Sequence, residues 1–315
     1  MISYSIVICT YNQKDTLSQA LESLRRQIKN VKEFEVIIAD DCSGDGTDEF
    51  VRKVRFPIFL KYTRSDSNRG VVANRNRGFR KAAGQWVIFM DGDMVPAPGF
   101  IDGYARAWRE FPDGVCVGHY GPPTQWTVQR WQKYLTTRGR HPLLYGARVP
   151  GKYFTSGNFS IPKALFEKVS GFDPEFKGWG GDDTDFGFRL EEQHIPIYNI
   201  PDAFCYHHDA KKLDDVIRHY VTFGRVVYPL LLKKHPGKII FENGWLLGLP
   251  DSTNGFSRRL AASLLSPLRS EPSLALLKAF AHIRQGALLG DTIFDWLFYG
   301  HLAKGYRLSK IEKNA

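Results

Sequence analysis

The sequence predicts an α/β domain built on a mostly parallel, doubly wound sheet, and two observations carry that reading. Over the first 118 residues, apolar runs rich in β-branched residues alternate with amphipathic stretches of helical period. The polar clusters of this region fall where the apolar runs end, at Thr10-Tyr11-Asn12, Asp40-Asp41 and Asp91-Gly92-Asp93. Sheets of this kind bind ligands beyond the carboxyl ends of their strands.

Tyr4 to Thr10 (YSIVICT) is nearly continuous in apolar residues, as a strand buried on both faces should be. Asp15 to Gln27 places Leu17, Ala20, Leu21 and Leu24 at helical spacing, with Asp15 the expected N-cap. A strand over Phe34 to Ala39 follows, then a helix opening near Gly46, a short strand Ile58 to Tyr62, a helix within Val71 to Ala83, and a strand Trp86 to Met90. From His119 to Lys152 the periodicity is lost, and Tyr, Trp, Arg, Gly and Pro accumulate in what reads as a long binding loop or irregular packing. Its arginines (Arg130, Arg138, Arg140, Arg148) suit an anionic acceptor and its aromatics suit sugar rings. Regularity returns with a strand Phe154 to Ile161, a helix Pro162 to Val169, a helix from about Asp183 to Gln193 and a strand Ile197 to Ile200. From Leu213 onward the chain reads as helical and basic.

Composition bounds the function. The 315 residues are 43% hydrophobic and 14% aromatic, enough for a sizeable core, which excludes a disordered tail. Four scattered cysteines without a CxxC give neither a zinc site nor a disulfide framework, and a reducing compartment is expected. The first residues lack a basic segment followed by a long apolar one, and no stretch reaches a membrane span, so a cytoplasmic chain, soluble or peripheral on the inner face of the membrane, is expected. The net charge of +10 favours anionic partners without choosing among nucleic acid, membrane and phosphorylated ligands.

Three clusters carry chemistry. In extended backbone, residues two apart point the same way, so Asp91 and Asp93 can present both carboxylates to one cation while Gly92 admits a ligand to the backbone. An ordinary polar turn is the plainer alternative for Asp-Gly-Asp taken alone. Gly178-Trp179-Gly180-Gly181-Asp182-Asp183-Thr184-Asp185 opens a helix. A structural cap explains one acid there, and three beside a tryptophan suggest a catalytic carboxylate. Tyr206-His207-His208-Asp209 follows a strand and a short Pro-containing connector, and its adjacent histidines are metal candidates. The stretch from Asp41 begins like a calcium loop but has Arg52 where a bidentate Glu is required.

Four blocks in order, SIVICTYNQKDTLSQALESL, EVIIADDCSGDGT, NRGVVANRNRGFRKAAGQWVIFMDGDMVP and SGNFSIPKALFEKVSGFDPEFKGWGGDDTDFGFRL, together resemble the GT-A-fold glycosyltransferases of family 2. The second half is similar to the β-1,4-galactosyltransferase and polypeptide N-acetylgalactosaminyltransferase branch. The resemblance implies an inverting enzyme that uses a UDP-sugar donor and Mn²⁺, with Mg²⁺ as the alternative ion. It also implies that Thr10, Tyr11 and Asn12 line the nucleotide pocket, that Asp41 accepts from uracil N3, and that Arg75 reaches the donor's phosphates or ribose. Asp93 corresponds to the direct metal ligand, Asp91 and Gly92 to the ribose side of the Asp-x-Asp motif with Asp91 near a metal-bound water, and His207 to a further ligand. Family members usually have Gly-Gly-Glu-Asp where this chain has Gly180-Gly181-Asp182-Asp183. Asp183 inherits the role of base, the shorter Asp182 puts an acceptor contact in question, and Trp179 resembles part of an acceptor platform.

On this reading residues 1–118 bind the nucleotide sugar, 119–212 bind the acceptor and complete the catalytic unit, and 213–315 form a helical, basic extension. The acceptor implied is a saccharide or a lipid-linked saccharide of cell-surface glycan synthesis. A sugar nucleotidyltransferase would carry a glycine-rich loop after strand one, where this chain has Thr10-Tyr11-Asn12-Gln13. An inactive binding module would have lost acids that are all present, and no nucleic-acid recognition element is found. The last 65 residues hold nine basic and five acidic residues interleaved with apolar ones such as Leu260, Leu264, Leu268, Phe280 and Trp296. They read as a helical cap on the catalytic domain or as an interfacial helix on anionic lipid.

Overall fold

The computed structural model describes residues 2–137, 144–209, 211–238, 240–241, 244, 249, 263–281 and 292–314. Arg138, Arg140 and Leu260, and with them Asp251, Arg258, Arg259 and Arg284 among the charged residues counted in the last 65, lie outside them. The described chain forms two compact units, one of Met1–Trp126, Gly139–Gly178 and Asp182–Asp209, the other of Thr127–Arg138, Trp179–Gly181 and Ala210–Ala315.

The first unit is built on one eight-stranded sheet. Its strands are β1 (Tyr4–Thr10), β2 (Phe34–Asp40), β3 (Phe59–Arg64), β4 (Trp86–Asp91), β5 (Met94–Pro96), β6 (Val115–Gly121), β7 (Asn158–Pro162) and β8 (Ile197–His207), in the order β3-β2-β1-β4-β7-β6-β8-β5. The strands β3, β2, β1 and β4 run parallel. The other half is mixed, because β7 is antiparallel to both neighbours and β5 is antiparallel to β8. Every β1 residue after Tyr4 and all of β2 are buried, which is why both read as unbroken apolar runs.

Pleating sends Ile6 and Ile8 to one face, where they meet Leu17, Leu21 and Leu24 of α1 (Lys14–Gln27) and Phe100 and Tyr104 of α4 (Phe100–Glu110). Elsewhere in this unit Phe89, Phe159, Phe166, Phe172 and Phe186 form an aromatic cluster, with Phe89 and Phe159 stacked at 4.8 Å and Phe172 and Phe186 at 4.5 Å. Each such buried ring contributes roughly 1.5–3 kcal/mol.

Three expectations are corrected by tertiary structure. Asp15 is not the cap of α1: Gln13 occupies that position without a side-chain bond, and Asp45 Oδ2 accepts the Lys14 amide at 2.9 Å instead. The last strand does not stop at Ile200 but continues to His207, so Tyr206 and His207 belong to it. Pro201 is accommodated because the pairing jumps from Gly118↔Ile200 to His119↔Phe204, leaving the proline in a bulge where no ladder N–H is needed. Residues 119–152 are not aperiodic throughout, since β6 extends to Gly121 and α5 spans Arg130–Thr137.

The remaining helices of the first unit are α2 (Thr47–Lys53), α3 (Val71–Phe79), α6 (Lys163–Lys168) and α7 (Asp182–Glu192). The second unit, with α5, comprises α8 (Leu213–Thr222), a π-helical turn at Phe223–Val227, α9 (Tyr228–Lys234), α10 (Glu271–Ala281) and α11 (Thr292–Asn314). Trp131 and Tyr134 of α5 pack there with Leu213, Ile217, Phe294 and Phe298. Among the described residues no helix is long and apolar enough to cross a membrane.

Candidate active site

The parallel strands end in two loops that tie to one another. Asn12, at φ 54°, accepts the Gly44 amide at 2.7 Å and donates its own amide to Ser43 Oγ at 2.9 Å. Tyr11 is exposed beside it, while Thr10 is buried and its Oγ1 has no partner among the described residues. Asp41 is buried at the end of β2 and accepts from Ser65 Oγ at 2.8 Å, from the Arg69 amide, and from the Gly70 amide at 2.7 Å, which secures the turn into α3. The Arg69 amide is shared between the two oxygens, so each carboxylate oxygen of Asp41 carries two contacts.

Asp91 and Asp93 take different protein partners. The two-apart rule holds only in extended backbone, and the chain turns at Gly92 and Asp93 between β4 and β5. Asp91 Oδ1 meets Arg75 Nη2 at 2.8 Å, and Arg75 Nη1 meets Asp182 Oδ2 at 2.8 Å. The guanidinium is only 4% exposed and lies over the Phe172 ring, so a single buried cation joins the Asp-Gly-Asp turn to the start of α7. Gly92 is needed for contact with the chain itself, since a Cβ there would stand 2.5 Å from Gln13 Oε1 and 2.9 Å from the Cys9 carbonyl.

Asp93 instead joins the end of β8. Antiparallel pairing sets Met94 opposite His207, and the His208 amide donates to the Asp93 carbonyl at 2.7 Å. His207 Nε2 then lies 3.3 Å from Asp93 Oδ2 and 3.9 Å from Asp209 Oδ2. One ligand atom from each of Asp93, His207 and Asp209 falls within 4.8 Å of the others. Burial pulls the imidazole pKa down, but the hydrogen bond and charge of Asp93, with Asp209 adding, outweigh it and the net shift is upward. Two carboxylates and an imidazole match the mixed oxygen and nitrogen donor set that suits Mn²⁺. A cavity of about 380 Å³ opens over Asp93, His208 and Asp209 and reaches Asn12, Lys14 and Asp45. Asp209 as a candidate ligand was missed in the sequence, and its signal was the two-residue step from His207.

Asp182 and Asp183 open α7, held by Phe186 in the aromatic cluster. Asp182 is buried against Arg75, whereas Asp183 is half-buried and accepts from Ser156 Oγ. Burial and the adjacent Asp182 charge raise the Asp183 carboxyl to about 7, although Arg75 and Ser156 pull the other way. No spacing rule pointed to Ser156, which lies 27 residues upstream. Just before these acids, Gly178, Gly180 and Gly181 all adopt positive φ, and they bracket Trp179, which is 41% exposed. Trp179 and its two following glycines group with the second unit, where the indole stacks on His219 of α8 at 5.0 Å.

Comparison with known proteins bears on the family and the fold. Residues 144–211 match the family model described as the N-terminal domain of galactosyltransferase. Validoxylamine A glucosyltransferase of Streptomyces hygroscopicus subsp. jinggangensis is 30% identical over 220 residues, covering 61% of this chain and 52% of that protein. The chain thus spans about half the length of such curated relatives. Among solved structures, S. aureus TarS 1–349 in complex with UDP covers 99% of this chain and 92% of its own, with a TM-score of 0.57 at 18% identity. The mannosyltransferase PcManGT from Pyrobaculum calidifontis, in complex with GDP-Man and Mn²⁺, covers 99% and 88% with a TM-score of 0.63 at 18% identity. These likenesses identify the fold as GT-A with a helical C-terminal part. Residues 5–170, more than half of the chain, match the model of glycosyl transferase family 2, and the chain belongs to that family.

Proposed function

We propose that this chain transfers a sugar from a UDP-sugar to a hydroxyl of a saccharide or lipid-linked acceptor, with inversion at the anomeric carbon. The observation that carries the reading is Asp183, a half-buried carboxyl at the head of α7 with a pKa near 7. Such a group is partly ionised near neutral pH and basic enough to take a proton in the transition state. The acceptor oxygen attacks the anomeric carbon from the face opposite the nucleotide. Its proton passes to Asp183 as the new C–O bond forms and the bond to the diphosphate oxygen breaks, so no covalent intermediate is required.

Asp93, His207 and Asp209 would hold the divalent cation, Mn²⁺ ahead of Mg²⁺ because an imidazole is among the donors. When bound, that ion supplies Lewis-acid stabilisation of the departing diphosphate. Thr10, Tyr11 and Asn12 line the nucleotide side, and the buried Thr10 hydroxyl without a protein partner suits a polar ligand. Asp41, buried at the end of β2 next to these residues, is assigned to the nucleobase N–H by the family motif it matches, and that motif is the support for uridine. Arg75, committed to Asp91 and Asp182, orients the two acidic motifs rather than reaching for a phosphate. Trp179, with Gly180 and Gly181 shaping its loop, offers an exposed aromatic face for an acceptor ring.

The test is a screen of nucleotide sugars with Mn²⁺ that measures slow donor hydrolysis, which needs no knowledge of the acceptor. Hydrolysis of a UDP-sugar is expected, with Asp183→Asn retaining UDP binding and losing turnover by at least a hundredfold. Substantial turnover in that variant would remove Asp183 as the base.

A further inference from the structure

We propose that the C-terminal helical unit carries a docking surface for membranes that contain anionic lipid. Among the described residues, thirteen large apolar side chains are left exposed, and six of them lie between Leu264 and Ile311. Leu264 is 74% exposed, Leu276 59% and Ile311 65%, values far above those of residues filling a core. Their spacing is orderly. Leu276 and Phe280 stand four apart on α10, away from its buried Leu274 and Ala281, and Leu308 and Ile311 stand three apart near the end of α11.

Basic residues sit among these side chains. Arg269 follows Leu268, while the exposed Arg307 and Lys310 immediately precede Leu308 and Ile311. Arg269 and Arg307 come from different segments yet approach closely enough that burial and the Arg307 charge together lower the Arg269 pKa. Of the acids on these elements, Glu271 pairs with Lys304 at 2.7 Å and also lies within the field of Arg307, Asp295 accepts from Tyr134, and Glu312 pairs with Arg225 at 2.5 Å. The positive charge gathered at Arg269, Arg307 and Lys310 beside exposed apolar side chains favours an anionic surface.

The two properties together select the occupant. A soluble polyanion would use the arginines and leave the leucines in water, whereas a bilayer interface takes cations at its headgroups and apolar side chains at the acyl boundary. No described helix is long and apolar enough to cross a membrane, so the chain would rest on the surface by this patch. Each base near an anionic surface strengthens binding several-fold at low salt. The proposal does not depend on which sugar is transferred, or on transfer at all.

Flotation of the full chain with phosphatidylcholine vesicles, with and without phosphatidylglycerol and at low and high salt, tests it. Binding is expected only with phosphatidylglycerol and is expected to weaken as salt rises. Leu276→Glu with Phe280→Glu, and separately Arg307→Glu with Lys310→Glu, should each reduce binding at least tenfold while thermal unfolding stays close to that of the unaltered chain. Failure of the intact chain to float with anionic vesicles would overturn the proposal, as would flotation untouched by both variant pairs. Sensitivity to the charge variants alone would equally overturn it, by identifying a polyanion contact without lipid insertion.

Discussion

Asp183 and its neighbours show how residue-scale chemistry depends on what surrounds a side chain. Its carboxyl is raised to about 7 by burial and by Asp182. A base must be deprotonated, so donor hydrolysis is expected to rise with pH and level off above about 7 in a pH–rate profile. The sign for stability is opposite. A folded pKa above the unfolded value stabilises the fold at low pH, and that contribution is lost as pH rises toward 7. Asp183→Asn should therefore stabilise the chain without ligand at pH 8, by about 1–2 kcal/mol once partial exposure is allowed for, as read by denaturant unfolding. Ser156 donates to the carboxylate and lowers its pKa, so Ser156→Ala should move the pH–rate midpoint upward and slow hydrolysis several-fold. Asp209→Asn should weaken Mn²⁺ binding by about tenfold or more in calorimetry, and unchanged affinity would remove Asp209 from the ligand set.

At the scale of elements, the site is held by joints between segments far apart in sequence. Arg75 of α3 links the end of β4 to the first residue of α7. Arg75→Ala would leave Asp91 and Asp182 without their cation and should cost about 3–5 kcal/mol in denaturant unfolding. Phe186 carries α7 into a cluster with Phe154, Phe159, Phe166 and Phe172, three residues after Asp183. Phe186→Ala should cost about 3–5 kcal/mol and slow turnover, because the helix that presents the acid loses its seat. The parallel strands β1, β2 and β4 were legible because burial on both faces leaves an apolar run that local composition reveals. Three-residue β5 was too short to show a period, and β8 was cut at Pro201 because a proline that marks a strand end in isolation is harmless in a bulge. The same limit hid the cap of α1, which comes from Asp45, more than thirty residues away.

For the whole molecule, the ordered blocks from Ser5 to Leu190 determined the family, and the alternation of strands and helices determined an α/β sheet before any contact was known. Those properties are local: apolar period, turn residues and short acidic motifs are written along the chain. The sequence also marked Asp93, His207 and Asp183 as the acids and imidazole to watch. The net charge of +10 was legible as an amount but not as a pattern. Only tertiary structure divided the work among the acids. It sent Asp91 and Asp182 to a buried arginine, gathered Asp93 with His207 and Asp209 across the β5–β8 pairing, and left Asp183 half-buried beside a serine hydroxyl. Tertiary structure likewise left Leu276, Phe280, Leu308 and Ile311 exposed, although their helical spacing alone fits a core equally well. The reason is the same in each case. A side chain's charge state, partners and exposure depend on groups brought near it by pairing and packing of distant segments, and sequence spacing does not encode those distances.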